Sequence, residues 1–570
     1  MVEQSERLYE FGQFHLDPVH SILLHGEQSI PLAPKVFETL LLLVQRHGSV
    51  IEKEEFLREI WPDSFVEVRE LREEESAQLT AEALPDRAQG SIAEEEAKTR
   101  WDKSTPSLAV LPLLDMIGDE DAKYLCEGIT EGIINCLSQL PQLHVMARSA
   151  VLRYKGREVD PQEVGRELGT SVVFTGRVLQ LSGRLIIKTE LVDVANGWNL
   201  WSEQYNRDPS DLMELQEELS KQISEKLRLA LTVEQQSQLT KRYTNNAEAF
   251  QLYLRGRYYS NKHTTEDHKK SIQCFEQAID LDSQYPLAYS GMADSYITRG
   301  FHRLCPPWEH VPKAKAAAVK ALELNDTLAE AHTSLACVIM LYQRDWVDVE
   351  EEFKRAIELN PRYAPAHSWY SHFLLAMGRI EESYVECQRA LEFAPLDPLF
   401  NQQFGWHFIH ARYYDEAIEQ LQNTIALDTN FFMAHLTLGM AYGFNGSYLN
   451  AIETFHKASL IENTPLHLAF LGHAYVMAGD EEKAQKILEE LEEKSERAYV
   501  PAYSLGMLYA AMGRKQVAFA SLKNAAEDRN EWIIWLKVSS ALDPLRSDPR
   551  YKEMLEELGI ITLRGDEVQR

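Results

Sequence analysis

The strongest constraint on the fold is a repeat in the second half of this 570-residue chain. One position, usually occupied by alanine, recurs there at nearly constant spacing. Successive copies are separated by 43, 35, 34, 34, 34, 33 and 34 residues, and they are Ala278, Ala321, Ala356, Ala390, Thr424, Ala458, Leu491 and Ala525. A unit of this length cannot bury its apolar face alone, so neighbouring units have to stack. The spacing therefore predicts a solenoid of paired helices with a concave groove.

The repeated stretches are identified as tetratricopeptide repeats. First-helix motifs such as AHTSLACVI and PAYSLGMLY, and second-helix motifs such as EEFKRAIELNP, carry the resemblance, which gives about eight motifs over residues 247–530. The nine extra residues of the 43-residue step, around GFHRLCPPWEHVP, predict a loop between the helices of one repeat. Residues 531–570 predict a terminal cap, in which Trp532, Ile533 and Trp535 cover the open end of the solenoid.

In this repeat family the groove is lined mainly by the first helix of each pair, and the groove holds a protein or peptide partner. Carried over by position, the resemblance implies a mixed polar and apolar set that suits an extended peptide better than a highly charged tail. Each position is equally compatible with packing between helices. The set is Asp294, Thr333, Cys337, Ser368, His372, Gln402, Trp406, Leu436, Met440, His473, Tyr503 and Met507.

Residues 7–66 predict a partial DNA-binding domain. Three strand-like runs, LYEFGQFHLD, HSILLHG and QSIPL, precede two helical patterns, the second of which ends at Pro62. The stretches FGQFHLD, PLAPKVFETLLLLVQRHGSVIEKEEFLREIW and PDSFVE resemble the OmpR/PhoB-type winged-helix domain of bacterial transcriptional regulators. The resemblance stops at Val66, before the DNA-reading helix and the β-hairpin wing of that family.

Residues 67–104 predict an acidic linker. Ten acidic and four basic residues lie between Glu67 and Lys98, and Arg69 and Arg72 are the remaining candidates for contact with DNA. The whole chain carries a formal charge of −30, which opposes the counterion release that binding to DNA requires. We therefore expect specific DNA binding to be weakened or lost. The alternative is a working DNA-binding regulator in which residues 67–84 supply a shortened recognition helix.

Residues 105–232 predict an α/β domain with an antiparallel meander. The period of the apolar pattern changes to two over SVVFTGRVLQ and RLIIKTELVDV, and Asn196-Gly197 marks a hairpin turn. The stretches SLAVLPLLD, VGRELGTSVVFTGRV and GWNLWSEQYNRD are similar to the TolB-type amino-terminal domain of bacterial regulators, which implies an interaction or sensing module. Trp198, Trp201 and Tyr205 are candidates for a contact surface, although aromatic residues on strands more often belong to the core.

The chain carries none of the nucleotide-binding, metalloprotease or nucleophile-elbow motifs, so we expect no catalytic, cofactor-binding or metal-binding residues and no enzyme activity. His407 and His410 are three residues apart on a helix, but no third metal ligand accompanies them. No signal peptide or membrane-spanning run is readable, and the six cysteines form no CxxC pair. The sequence predicts a mostly helical, multidomain, cytoplasmic bacterial adaptor in transcription regulation or signalling that binds a protein partner and does not bind membranes.

Overall fold

The computed structural model describes residues 105–560, apart from 117–119, 182–183, 263–264 and 304–305, together with four strands near the amino terminus. The chain divides into two compact units, Met1–Gln89 and Gly90–Arg570. In the first unit the described strands form an antiparallel meander: β1 (Tyr9–Phe11), β2 (Phe14–Asp17), β3 (Ile22–His25) and β4 (Gln28–Ile30). The two helices predicted up to Pro62, and the candidate DNA contacts Arg69 and Arg72, lie outside the described residues.

The second unit begins with a mixed sheet whose order is β10-β9-β8-β5-β7, with the short strand β6 paired to β8. Strands β8, β9 and β10 form an antiparallel meander, whereas β5 runs parallel to both β7 and β8. The strands are β5 (Ser107–Val110), β6 (Leu114–Asp115), β7 (His144–Val145), β8 (Val172–Leu181), β9 (Arg184–Asp193) and β10 (Asn199–Arg207).

Five helices and a 3₁₀ turn accompany this sheet in the described residues between 120 and 239, before the repeats begin. They are α1 (Glu120–Ser138), α2 (Arg148–Leu152), α3 (Pro161–Leu168), a 3₁₀ turn (Pro209–Asp211), α4 (Leu212–Lys226) and α5 (Val233–Leu239). Asp160 caps α3 through the backbone N–H of Gln162, and Gly169 ends that helix at a φ of 65°. We refer to residues 105–240 as the α/β region.

Sixteen helices follow in the described residues between 247 and 527, and they form eight consecutive pairs, numbered repeats 1 to 8. The pairs are α6 (Ala247–Ser260) and α7 (Thr265–Leu281); α8 (Pro286–Arg303) and α9 (Pro307–Leu324); α10 (Ala329–Val338) and α11 (Trp346–Leu359); α12 (Ala364–Ala376) and α13 (Ile380–Phe393); α14 (Pro398–His410) and α15 (Tyr414–Leu427); α16 (Phe432–Phe444) and α17 (Tyr448–Ile461); α18 (Pro465–Met477) and α19 (Glu481–Ser495); α20 (Ala502–Ala511) and α21 (Lys515–Glu527).

Several short helical turns complete the described elements of the second unit. A π-helical turn (Ile339–Gln343) extends α10 within repeat 3, and after repeat 8 come two 3₁₀ helices and the helix α22. Their bounds are Glu531–Trp535, Ser540–Leu545 and Pro549–Glu557. Residues 530–560 are called the C-terminal segment below.

Small residues explain why the helices of each repeat approach so closely. A side chain on Gly405 would place its Cβ 2.5 Å from Leu421, and one on Gly439 would lie equally close to Phe455. Both partners are fully or almost fully buried on the second helix of the same repeat. The eight recurring residues that gave the period, Ala278 through Ala525, are also no more than 2% exposed. The solenoid is therefore assembled through the positions that the spacing identified.

The nine extra residues of repeat 2 do not form a loop. Helix α8 has 18 residues where α12 has 13, and α9 has 18 where α13 has 14, so both helices of the pair are longer. Pro307 lies at the first position of α9, where the missing N–H costs nothing and the fixed φ favours a helix. The prolines predicted to mark a loop therefore mark the beginning of a helix.

We predict that Gly439→Ala lowers the free energy of unfolding of the array by about 1–3 kcal/mol, because the added methyl group overpacks against Phe455. Gly443→Ala in the same helix is the control. Its Cβ would lie 3.8 Å from Ala451, an ordinary contact, so the variant should be as stable as the parent or slightly more stable. Urea titrations of both variants measure the difference, and equal midpoints would contradict this account of the helix spacing.

Candidate functional site

The inner face of the array is formed by the first helices of successive repeats, which pack side by side. The C-terminal segment lies against this face. It contacts the first helices of repeats 4, 5 and 8 through its two 3₁₀ helices, and it reaches repeat 3 through its last residues. This placement differs from the predicted cap, because Trp532 and Trp535 lie against the inner face instead of covering the open end of the solenoid.

Aromatic packing holds the segment in place. The indole of Trp406 in repeat 5 lies edge-on to both Trp532 and Trp535, with ring centroids 5.2 and 5.7 Å apart. His372 in repeat 4 packs against Trp535 at 5.9 Å. The five consecutive apolar residues from Trp532 to Leu536 are at most 2% exposed and belong to the same hydrophobic cluster as the repeats. Each such side chain contributes about 1.5–3 kcal/mol by burial, so the segment is an integral part of the core.

Polar contacts fix the backbone of the segment. The Lys537 ammonium donates to the carbonyl of Met377 at 2.8 Å, and the indole N–H of Trp346 donates to the carbonyl of Leu558 at 3.0 Å. Arg412 forms a bidentate pair with Asp543 at 2.7 and 2.8 Å. These bonds attach an irregular stretch of polypeptide to repeats 3, 4 and 5.

Repeats 3 and 8 also contact each other directly. Arg344 donates to the carbonyl of Ala526 at 3.1 Å, and Arg529 donates in return to the carbonyl of Tyr342 at 2.7 Å. His310 of repeat 2 is 2.8 Å from the Glu531 carboxylate, and both side chains are buried. The beginning of the C-terminal segment is therefore held from both sides.

Eleven of the twelve predicted groove positions are no more than 7% exposed: Thr333, Cys337, Ser368, His372, Gln402, Trp406, Leu436, Met440, His473, Tyr503 and Met507. Some of them bind the C-terminal segment, as Tyr503 does through its hydroxyl, 3.0 Å from that of Ser539. Others join repeats, as Gln402 does by donating to the Thr437 hydroxyl at 2.7 Å. Only Asp294 keeps a substantial part of its side chain open, 42%.

Several histidines on or near the inner face are buried in the neutral form. Burial lowers the pKa of His372 and of His410 to about 3, and it lowers the pKa of His407 and of His473 to about 4. The His407 ring nitrogen lies 2.9 Å from the Ser383 hydroxyl. The His410 ring nitrogen lies 3.4 Å from the carbonyl of Val538. His407 and His410 therefore make separate contacts, and in the part of the chain that the structure describes no three His, Cys, Asp or Glu side chains are grouped to hold a metal ion.

A cavity of about 580 Å³ lies between the α/β region and the first repeats. Helices α1 and α4 form one wall, and the other is formed by α6, the beginnings of α8 and α10, and the end of α11 with the turn that follows it. Its charged lining residues are Glu131, Glu217, Lys241, Arg242, Arg257, Glu330 and Arg362, and its large aromatic residues are Tyr243, Phe250, Tyr253 and Tyr285.

A buried ion pair joins the two walls of the cavity. Arg257 of repeat 1 contacts the carboxylate of Glu131 in α1 at 2.9 Å, and Arg148 of α2 lies 3.4 Å from the same group. Burial alone would raise the pKa of Glu131, but the two guanidinium groups hold it below its usual value. Asp294 is 3.8 Å from Arg257, and burial raises the pKa of its carboxyl group. The ionised state of Glu131 therefore depends on a guanidinium from the α/β region and on another from the repeats.

The remaining sequence candidates have other environments. Trp198 is 52% exposed at the hairpin, while Trp201 and Tyr205 are buried in the core of the α/β region. Cys126, Cys136, Cys274, Cys337 and Cys387 are free thiols. Among the described helices, none combines the length and the apolar character that would be needed to cross a membrane.

Sequence reasoning missed the residues that form the cavity. Glu131 and Arg257 are separated by 126 positions, and neither belongs to a recognisable motif. Glu330 is the second residue of α10, where an acidic side chain is also expected for its favourable interaction with the helix dipole. No signal in the sequence distinguishes these residues from ordinary surface charges.

Comparison with known proteins supports the repeats. The model of the tetratricopeptide repeat family matches residues 252–285. A putative adenylate cyclase 3 of Rhizobium meliloti (strain 1021) is 28% identical over 244 residues, which cover 42% of this chain and 41% of that protein. The transcriptional regulator HilA of Salmonella typhimurium is 22% identical over 425 residues, 69% of this chain and 72% of that one. The chain thus spans about two fifths of the first of these relatives.

Two solved structures are similar to parts of the chain at low identity. A tetratricopeptide repeat protein from Parabacteroides merdae ATCC 43184 is 14% identical, with a TM-score of 0.33 over 47% of this chain and 98% of its own. The human IFIT1 dimer with PPP-AAAA is 13% identical, with a TM-score of 0.37 over 73% of this chain and 97% of its own. The chain contains tetratricopeptide repeats, a fold that typically mediates protein–protein interaction and is typically non-enzymatic.

We predict that Trp535→Ala lowers the free energy of unfolding by about 3–5 kcal/mol, because it removes a fully buried indole from the contact between the C-terminal segment and repeats 4 and 5. Trp198→Ala is the control, since this indole is 52% exposed, and it should change stability by no more than about 0.5 kcal/mol. Chemical denaturation followed by far-UV circular dichroism measures both. Similar losses in the two variants would show that the segment contributes little to the fold.

Acid should destabilise the array through its neutral buried histidines. The pKa of His473 is about 4 in the folded chain and about 6.5 when unfolded, so between these values the unfolded state binds the extra proton. Stability therefore falls by about 1.4 kcal/mol per pH unit for each such histidine as the pH drops below 6.5. His473→Phe should reduce this slope by about one proton. Unfolding titrations from pH 7 to 5 measure the slope, and an unchanged slope in His473→Phe would refute the assignment.

Proposed function

We propose that this chain is a non-enzymatic adaptor in bacterial transcription regulation, and that it binds a protein partner through the inner face of its tetratricopeptide array. The observation that carries the proposal is the C-terminal segment itself. Residues 530–560, two 3₁₀ helices and a short α-helix with their connecting turns, are held there by indole packing and by bonds to backbone carbonyls. Such contacts recognise polypeptide chains in general, which is how repeat arrays bind their partners.

The partner contacts the array at its amino-terminal repeats. The C-terminal segment packs against repeats 3, 4, 5 and 8, so a partner that binds there would have to replace buried tryptophans. Repeats 1 to 3 and the α/β region instead enclose the cavity, and Asp294, the accessible member of the predicted groove positions, lies 3.8 Å from Arg257 in its wall. A partner bound at this place touches both parts of the second unit.

Two resemblances in the amino-terminal half support the proposed regulatory context. The stretches around FGQFHLD resemble an OmpR/PhoB-type winged-helix domain, and residues 105–232 resemble a TolB-type domain. The similarity to the transcriptional regulator HilA extends over 69% of the chain and favours the same context. We propose that the chain derives from a winged-helix regulator and acts in the cytoplasm, with residues 67–104 as an acidic linker that no longer supports specific DNA binding.

The same similarity favours a second candidate, a DNA-binding regulator with a shortened recognition helix that uses Arg69 and Arg72. The two candidates differ in salt dependence, because phosphate contacts release counterions and weaken steeply as salt is added. They also differ in the effect of changing the arginines, which matters only for DNA binding.

We predict that a photoreactive amino acid at Thr298, one helical turn after Asp294, cross-links to a second protein in cells, whereas the same group at Leu460, 88% exposed on a second helix, does not. Mass spectrometry of the cross-linked bands identifies the partner.

Fluorescence anisotropy with upstream DNA at two salt concentrations should detect no tight binding. Tight, salt-sensitive DNA binding that is lost in Arg69→Ala/Arg72→Ala would support the second candidate and refute the first.

A further inference from the structure

The sheet of the α/β region has two edges that differ in length. The edge strand β7 (His144–Val145) has two residues, which offer few backbone groups to another strand. The opposite edge strand is β10 (Asn199–Arg207), with nine residues. It contains no proline and no lysine, and its bulge lies at its beginning, between Asn199 and Trp201. The rest of β10 is therefore a regular strand that can accept a neighbour.

Backbone groups on the outer edge of β10 have no strand partner. The N–H of Asp193 donates to the carbonyl of Trp198 at 2.9 Å, so the odd-numbered residues of β9 direct their backbone groups toward β10. The register then turns the backbone groups of the even-numbered residues of β10 outward, and these residues are Ser202, Gln204 and Asn206. All three are exposed, and within the described part of the chain their N–H groups donate to no other residue.

The other described elements leave this edge uncovered. Strand β10 packs against β9 along its inner edge and against α4 on one face. On that face Trp201 and Tyr205 are buried, and Arg207 pairs with Glu218 of α4 at 2.6 Å. The strand is thus held in place before any partner arrives, so adding another strand to it costs little conformational entropy.

We propose that β10 pairs with β10 of a second copy of this chain, antiparallel about a two-fold axis, with Gln204 of one copy opposite Gln204 of the other. Both copies use the same residues in such an interface, and one sheet then continues through both α/β regions. This inference concerns the assembly of the chain and does not depend on the proposed function.

The positions of the free backbone groups limit the register. Hydrogen-bonded pairs have to join even-numbered residues of the two copies, because these residues carry the outward groups. With Gln204 on the axis, Ser202 lies opposite Asn206 of the second copy. The carbonyl of Asn206 accepts from the Arg184 guanidinium at 3.0 Å, and a carbonyl oxygen has a second lone pair for the added strand. Every outward residue between 202 and 206 therefore has a partner.

The side chains of β10 are complementary in the same register. Trp201 lies opposite Arg207 of the second copy, a pairing of an indole with a guanidinium. Glu203 lies opposite Tyr205, whose hydroxyl is also 3.4 Å from the Glu203 carboxylate within one chain. A register centred on Glu203 would place two carboxylates opposite each other, which is unfavourable. A register centred on Tyr205 would overlap only residues 203–207, whereas the proposed one overlaps residues 201–207.

Analytical ultracentrifugation of the full chain at increasing concentration should show a species with twice the mass of one chain. Gln204→Pro should weaken this dimer about tenfold or more, because the symmetry removes two hydrogen bonds with one substitution. Proline is tolerated by the fold where the N–H faces outward from an edge strand.

Gln204→Lys is a second variant that keeps the backbone donor. It places like charges opposite each other at the axis and should weaken the dimer about fivefold. Gln180→Lys is the matched control, because Gln180 is an exposed glutamine on β8, a strand inside the sheet. This control should dimerise as the parent does.

Disulfide cross-linking tests the register. Residues opposite each other in a hydrogen-bonded pair have Cα atoms about 5.5 Å apart, a distance that a disulfide can span. Gln204→Cys should therefore form a covalent dimer under mild oxidation. Ser202→Cys should not, because the two copies of this residue would be separated by about 13 Å along the strand. The parent, with its own thiols, gives the background.

Three outcomes would overturn the proposal. The first is a monomer at every concentration without cross-linking at Gln204→Cys. The second is a dimer that both Gln204→Pro and Gln204→Lys leave unchanged, since it would use another surface. The third is equal cross-linking of Ser202→Cys and Gln204→Cys, which indicates parallel pairing. None of these outcomes affects the proposed binding of a protein partner, which the cross-link at Thr298 tests separately.

Discussion

The close approach of the two helices in each repeat is the constraint on which the second unit depends. Glycine at 405 and 439 lets Leu421 and Phe455 of the facing helix fill the space that a side chain would occupy. Because this separation recurs, the first helices line up side by side and form one continuous inner face. A larger residue at these positions would push one pair apart and interrupt the surface on which the C-terminal segment packs.

That inner face is used in two different ways. Over repeats 4, 5 and 8 it is covered by the C-terminal segment, whose tryptophans belong to the common hydrophobic cluster. Next to the α/β region lies a cavity with both polar and apolar lining, which includes Glu330, a carboxylate that forms no ion pair with a described side chain. Burial of apolar surface favours the first arrangement, whereas a desolvated carboxylate opposes folding. The polar part is therefore the one whose composition stability alone does not explain.

The periodic part of the fold was predictable because its pattern of apolar and small residues is visible over short stretches of sequence. The spacing from Ala278 to Ala525 located the helix contacts, and the alternation in residues 172–193 located the two long strands. The position of Trp535 was not predictable, because its partners His372 and Trp406 lie more than a hundred residues away and share no pattern with it. The helical nature of the insertion in repeat 2 was missed for a local reason. Proline begins helices as readily as it marks loops, and Pro307 begins one.

The ion pair between Glu131 and Arg257 connects the α/β region to the repeats at the cavity. Glu131 keeps its charge at a buried position because Arg257 and Arg148 lie beside it, so separating the two walls would leave that carboxylate without its partner from the repeats. Any ligand that binds better when the two walls are together stabilises their contact by the same free energy.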